Sequence, residues 1–379
     1  MPSRFRVLLI VASAMALAGC NRRIELEPVY IGQVAAYSGR DEAVGECARQ
    51  GAILAAEEIN RPENQLPGKR FSVIFADSPG ELANLQPVAV RLITVNRVAA
   101  LLGGCNAAEA EHLGRAGLPY EVAVVTQASL PKQPPGDNVF SIDVGQTVRG
   151  EKLAQFLALE LKTTRVLLLT DSRDRGCAAL SAAALKEFAN EPNVHADQWT
   201  YKTEAELIEL ASRVAKAEPE ALILSGSGPD LLKLRTALQK AGVKAPVIFA
   251  GDQSGILLVN PSEPRQSDLY VVTLYAAGGY TSHGQEFVKR LQERFQYPPE
   301  FESAAAYESA LLVAEAARRA GSARPAAVRA TLSEPAFTFE SLTGPLSFTK
   351  DHFARRPLFV VRMHEGKETL AKRYEPVLP

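Results

Sequence analysis

Short unbroken apolar runs alternate with longer stretches whose apolar positions recur at threes and fours, and this rhythm covers most of the chain. Val29 to Ala36 is the first run, the pattern of a parallel strand buried on both faces. Tyr37, Ser38, Gly39 and Arg40 break it. Ala43, Val44, Cys47, Ala48, Ala52, Ile53, Ala55, Ala56 and Ile59 then form one stripe of a helix that stops at Asn60-Arg61-Pro62. Further strands are predicted over 71–77, 99–104, 122–126 and 139–143. Pro87 marks a helix start between the first two of these, because a first-turn residue needs no N–H partner.

The alternation then begins again. A helix over 150–161, a strand over 165–170, a helix over 177–188, a strand over 194–201 and a helix over 205–217 lead to a strand at 221–225. A helix over 231–241 and a strand at 247–250 follow. Two successive series predict an α/β protein with two Rossmann-like lobes, each a parallel sheet flanked by helices. The tail departs from this rhythm, with helices over 285–295 and 303–320, a hairpin over 337–348 and a strand over 358–363. Open α/β sheets bind ligands beyond the carboxyl ends of their strands, so the turns at Ser38, Cys105, Ala128, Arg175, Ser227 and Asp252 are expected to wall one crevice.

The formal net charge of −1 is spread evenly, and with no dense Lys/Arg block nucleic acid is excluded as a partner. Arg4 and Arg6 precede an apolar run from Val7 to Leu17, and Leu17-Ala18-Gly19-Cys20 follows. That order is an export signal, and its ending resembles a lipobox that makes Cys20 the lipidated first residue. No HExxH, CxxC or GxSxG is present, and Glu151 stands where a phosphate loop needs Lys, so no metal, cofactor or catalytic site is expected. Of the remaining cysteines, Cys47 and Cys105 are expected to pair, because the first and third strands are neighbours in the usual doubly wound order. The competing readings are a Cys105 to Cys177 bridge across the crevice, and three buried thiols.

Several pieces carry a family likeness: Ile31-Gly32 with Ser38-Gly39, Gly51-Ala52 through Ala55-Ala56-Glu57-Glu58-Ile59-Asn60, Leu102-Gly103-Gly104, Ala304-Ala305-Ala306-Tyr307-Glu308-Ser309-Ala310, and Leu342-Thr343-Gly344-Pro345-Leu346-Ser347-Phe348. In this order the chain resembles the bacterial Leu/Ile/Val-binding proteins, type I periplasmic solute-binding proteins that feed ABC transporters. The resemblance implies two lobes joined by a three-strand hinge, closing over a small polar molecule such as an amino acid or a related carboxylate or amide. Lobe one would be 29–145 plus 276–345 and lobe two 146–275 plus 346–379, after a signal peptide at 1–19 and a tether at 20–28. The implied partners are the ligand, an ABC transporter permease and, through the lipid, the periplasmic or cell-surface face of a bacterial membrane.

Site residues follow from the same resemblance. Cys105 and Asn106, then Ala128 and Ser129, fall where the family holds a ligand carboxylate, and only Ser129 supplies a hydroxyl. Arg175 replaces a tyrosine; it is placed either to pair with a carboxylate or to be a solvated partner of Asp171 or Asp174. Ser227 and Ser38 add hydroxyls, and Asp252 or Gln253 occupies the place of the acid that meets an ammonium. The stretch after Asp77 has no cysteine, so the family's first-lobe disulfide lacks a partner. A second reading is a ligand-independent interaction or sensory lipoprotein of the same fold, for example a regulator of cell-wall synthesis.

Overall fold

The computed structural model describes residues 26–39, 41–78, 82–132, 136–251, 268–364 and 367–376. Cys20, Asp252 and Gln253 lie outside them. The first strand, β1 (Glu27–Ala35), pairs in parallel with β2 (Lys69–Asp77) on one side and β3 (Ala100–Gly103) on the other. Adding β4 (Ala123–Thr126) and β5 (Val139–Ser141) completes a five-stranded parallel sheet in the order β2-β1-β3-β4-β5. Ile31 and Val34 point into separate apolar clusters on the two faces, which is why the run lacks polar alternation.

The faces are covered by α1 (Glu42–Ile59), α2 (Leu82–Thr94) and α3 (Ala107–Gly117). Pro87 lies inside α2 and does not start it. Leu85 is buried with Ala89, Leu92 and Ile93, so packing extends the apolar stripe one turn earlier, and that burial offsets the ladder bond the proline forgoes.

The chain then crosses into α4 (Gln146–Gln155), which ends in a π-helical turn at Phe156–Glu160. It begins four residues before its expected start, because its polar first turn carries no apolar period. Next come β6 (Arg165–Asp171), α5 (Arg175–Phe188), β7 (His195–Tyr201), α6 (Glu204–Ala217), β8 (Ala221–Ser225), α7 (Gly228–Lys240) and β9 (Val247–Phe249). After β10 (Leu269–Thr273) come α8 (Ser282–Phe295), α9 (Phe301–Ala320) and α10 (Pro325–Leu332). A small antiparallel sheet of β11 (Thr338–Ser341), β12 (Gly344–Phe348) and β13 (Ala354–Arg355) leads to β14 (Leu358–His364) and β15 (Lys367–Tyr374).

The second sheet runs β15-β14-β10-β9-β8-β6-β7. Its parallel part repeats the winding of the first sheet, with the opening strand flanked by its second and third. The expectation of an all-parallel sheet is corrected at one edge, where β14 joins β10 antiparallel and β15 joins β14. Most of β15 is exposed and polar, so it left no apolar signal to read. Each sheet carries one helix pair in backbone contact: a Cβ on Gly51 of α1 would lie 2.0 Å from the Ser303 carbonyl oxygen of α9, and one on Gly150 of α4 would lie 2.3 Å from that of Leu180 in α5.

Three passages join the two sheets, at 142–145, at 274–281 and between β12 and β14. One buried ion pair touches all three. Arg356 donates to the Ile142 carbonyl at 3.3 Å, to Thr343 Oγ1 at 3.0 Å and to Glu308 Oε2 at 3.1 Å. Glu308 in turn accepts from Tyr275 Oη at 3.3 Å and from the Leu342 N–H at 3.2 Å.

Candidate functional site

A cavity of about 110 Å³ lies between the sheets. The first sheet contributes Cys105, Asn106 and Ala107 after β3 and Gln127 and Ser129 after β4; the second contributes Asp171, Asp174 and Cys177 after β6, Gly226 and Ser227 after β8, and Gly251 after β9. All follow the carboxyl ends of parallel strands, the place where the winding of such sheets leaves a crevice.

The floor is built from the first passage. Asp143 and Arg149 are both almost fully buried and face each other, Arg149 Nε donating to Oδ2 at 2.9 Å and Nη1 to the Val272 carbonyl at 2.8 Å. Ser129 Oγ donates to Asp143 Oδ1 at 2.8 Å, which ties the β4 mouth to the same pair. Gln146 opens α4 beside them, with Nε2 donating to the Ser129 carbonyl at 3.3 Å. Its Oε1 is buried with no partner among the described residues.

Of the helix N-termini that reach the cavity, those of α3, α5 and α7 are capped by the chain's own side chains, whereas that of α4, opened by Gln146 after Gly145, has no side-chain cap. Asn106 Oδ1 accepts from the Glu109 N–H at 3.0 Å, while the Glu109 carboxylate accepts from the Cys105 N–H at 2.8 Å. Asp174 Oδ1 takes the Gly176 and Cys177 N–H groups. Ser227 and Asp230 form a reciprocal capping box at α7, each side chain accepting at 3.3 Å. These donors would otherwise hold an anion.

Burial raises the Asp171 carboxyl, but the Arg173 guanidinium and N–H that donate to it outweigh burial and leave it below the usual carboxylate range. Burial also pushes the Tyr201 hydroxyl well up, reinforced by the Asp230 carboxylate it donates to at 3.1 Å.

Of the expected site residues, the structure brings Cys105, Asn106, Ser129 and Ser227 together. Three others do not line this cavity. Ser38 is exposed and its hydroxyl donates to the Asp77 carboxylate, anchoring the β1 turn to the end of β2. Ala128 is buried in the first-lobe core, because its backbone N–H turns inward to Thr126 Oγ1. Arg175 is exposed as the first residue of α5, and the partner of Asp171 is Arg173, two residues earlier. Asp252 and Gln253 fall outside the described residues.

Sequence reading missed Gln127, Asp143, Gln146, Arg149, Asp174 and Phe301 as lining residues. A charged pair six apart within an apolar passage was a signal for Asp143 and Arg149; Gln146 and Phe301 offered none.

The expected Cys47 to Cys105 disulfide is also corrected, since both residues and Cys177 are thiols. Cys47 sits on α1 within the field of Glu300 and Glu302 at the start of α9, whereas Cys105 accepts from Gln127 Nε2 at 3.5 Å in the cavity wall.

Two doubly wound lobes sharing one polar cavity at their strand ends, linked by three passages, define a bilobal cleft-binding protein. The chain belongs to the periplasmic binding protein family, whose model it matches over residues 28–368. The family and fold are those of solute-binding proteins and not of enzymes. No curated protein matches the chain.

Among solved structures, a leucine-binding protein, LivK, of Thermotoga maritima is similar at 19% identity, covering 92% of this chain and 99% of that one with a TM-score of 0.79. The branched-chain amino acid transporter substrate-binding protein LivJ of Streptococcus pneumoniae, in complex with isoleucine, is similar at 20% identity, covering 93% and 100% with a TM-score of 0.77. A solute-binding protein of an ABC transporter from Rhodopseudomonas palustris, in complex with 3,4-dihydroxybenzoic acid, is similar at 19% identity, covering 92% and 98% with a TM-score of 0.76. At these identities the likeness is one of fold.

Proposed function

We propose that this is an exported, lipid-anchored solute-binding protein that closes its lobes over a small polar molecule and delivers it to an ABC transporter permease. The observation that carries the reading is the polar cavity between two similarly wound sheets, floored by the Asp143–Arg149 pair of the first passage. A ligand there touches both lobes and the connection between them, so binding favours closure. Solved relatives in complex with isoleucine and with a hydroxylated benzoate support small polar or aromatic solutes as the class.

The lobe boundaries belong to this reading: 29–145 with 276–345, and 146–275 with 346–379. They are supported by the packing of α8 and α9 on α1, and by the membership of β14 and β15 in the second sheet.

Titrating the mature protein with a library of amino acids, amides, amines and aromatic acids tests the reading, because a ligand of the native state raises the melting temperature. Silence across the library overturns it in favour of an interaction protein. Anchoring rests on Leu17-Ala18-Gly19-Cys20. Cys20→Ala is expected to release the protein from the membrane fraction, and a variant retained there with unchanged mobility removes the lipid from the proposal.

A further inference from the structure

The polar atoms of the cavity are unevenly committed. Its helix-end donors at α3, α5 and α7 are already used: the Cys105 N–H by Glu109, the Gly176 and Cys177 N–H groups by Asp174, and the Ser227 N–H by Asp230. Arg149, the cation in the wall, donates from Nε and Nη2 to Asp143 and from Nη1 to the Val272 carbonyl. The side-chain amides of Asn106, Gln127 and Gln146 donate to Glu109, to Cys105 Sγ and to the Ser129 carbonyl.

Two acceptors at the cavity remain open. Gln146 is only 6% exposed and lines the cavity, yet its Oε1 has no partner among the described residues. A buried carbonyl oxygen left this way is unfavourable until a donor reaches it. Asp174 uses Oδ1 for both of its cap bonds. Charge points the same way: Arg149 offsets Asp143 and Arg173 offsets Asp171, so Asp174 leaves the described wall negative.

Resting on the solute-binding reading, we infer that the ligand is a small organic cation that donates hydrogen bonds, a primary ammonium or an amidinium, with no carboxylate anchored by the protein. Its N–H groups meet Gln146 Oε1 and the Asp174 carboxylate, which stand side by side on the second lobe at the first ends of α4 and α5. A carboxylate in the same place meets the Asp174 carboxylate and, at α5, a helix end that is already capped.

Calorimetric titration of the mature protein with agmatine, putrescine and benzamidine, beside isoleucine, isobutyrate and benzoate, tests this. Binding of at least one amine or amidine, and of none of the three carboxylates, is the expected result. Binding of a carboxylate with silence from the cations overturns the inference and leaves solute binding standing. Silence from the cations, with any other solute of the wider library bound, overturns it likewise; silence from the whole library removes the solute-binding reading as well. Two variants fix the role of Gln146. Gln146→Glu keeps an acceptor and adds charge, and is expected to tighten cation binding about tenfold, whereas Gln146→Met weakens it about tenfold. Unchanged melting of both ligand-free variants separates this from misfolding, and tighter carboxylate binding by Gln146→Met, or no change in cation binding in either variant, overturns the assignment.

Discussion

Arg356 and Glu308 form an ion pair in which both side chains are 0% exposed, and through it the three passages between the lobes share one set of hydrogen bonds. Removing one member leaves the other charge buried without its partner. Glu308→Gln or Arg356→Met is therefore expected to cost about 3–5 kcal/mol in urea unfolding. The double variant Glu308→Leu with Arg356→Met should lose less than the sum, since no lone charge remains.

Glu58 gathers His283 Nε2 at 3.0 Å, the Tyr307 hydroxyl at 2.8 Å and the Arg290 guanidinium, which joins α1 to α8 and α9. Burial alone raises its carboxyl, but these hydrogen bonds and charges together bring it down to about 2 from 4.5. A carboxylate lowered on folding stabilises fully above its unfolded pKa, and that contribution is lost as pH falls from about 4.5 towards about 2. Wild type should therefore lose melting temperature steeply over that window. Glu58→Gln, melting lower at neutral pH, should show a shallower fall, and parallel curves would refute the linkage.

Gly51 is where α1 and α9 touch backbone to backbone. Gly51→Ala places a methyl carbon against the Ser303 carbonyl and forces the helices apart, at a cost of about 1–3 kcal/mol. Thermal melting should show the loss. A stability equal to wild type would mean the pair separates freely.

Cys47 is half-buried on α1, and burial, then the Glu302 and Glu300 carboxylates, push its thiol up to about 12. The thiolate is the reactive form, so iodoacetamide at pH 8 should modify Cys47 slowly in the native protein and quickly in urea. Intact mass under non-reducing conditions should correspond to thiols at Cys47, Cys105 and Cys177. A Cys47 to Cys105 linked peptide would restore the disulfide that the structure lacks.

Secondary structure and winding were legible because strands buried on both faces must be apolar throughout and helices on a sheet must carry a stripe. Val29 to Ala36 and the stripe from Ala43 to Ile59 declare themselves in this way. Helix starts were less legible: Pro87 marked a beginning by its own chemistry, and the burial of Leu85 overruled it. The exposed edge strand β15 left no trace, since its residues need no apolar face.

Strand order likewise placed Cys105, Asn106, Ser129 and Ser227 at one crevice, because every parallel strand ends on the same side. The orientation of side chains within a turn was decided only by tertiary contacts. Ser38 turns to Asp77, Ala128 into the core and Arg175 to solvent, each through a hydrogen bond or packing partner distant in sequence or set by the cap of a helix. Gln146, Asp143 and Arg149 became a floor only when the first passage folded under Ser129 and against Val272. A sequence specifies which residues stand at a strand's end, whereas which of their atoms remain uncommitted depends on partners brought there by the whole chain.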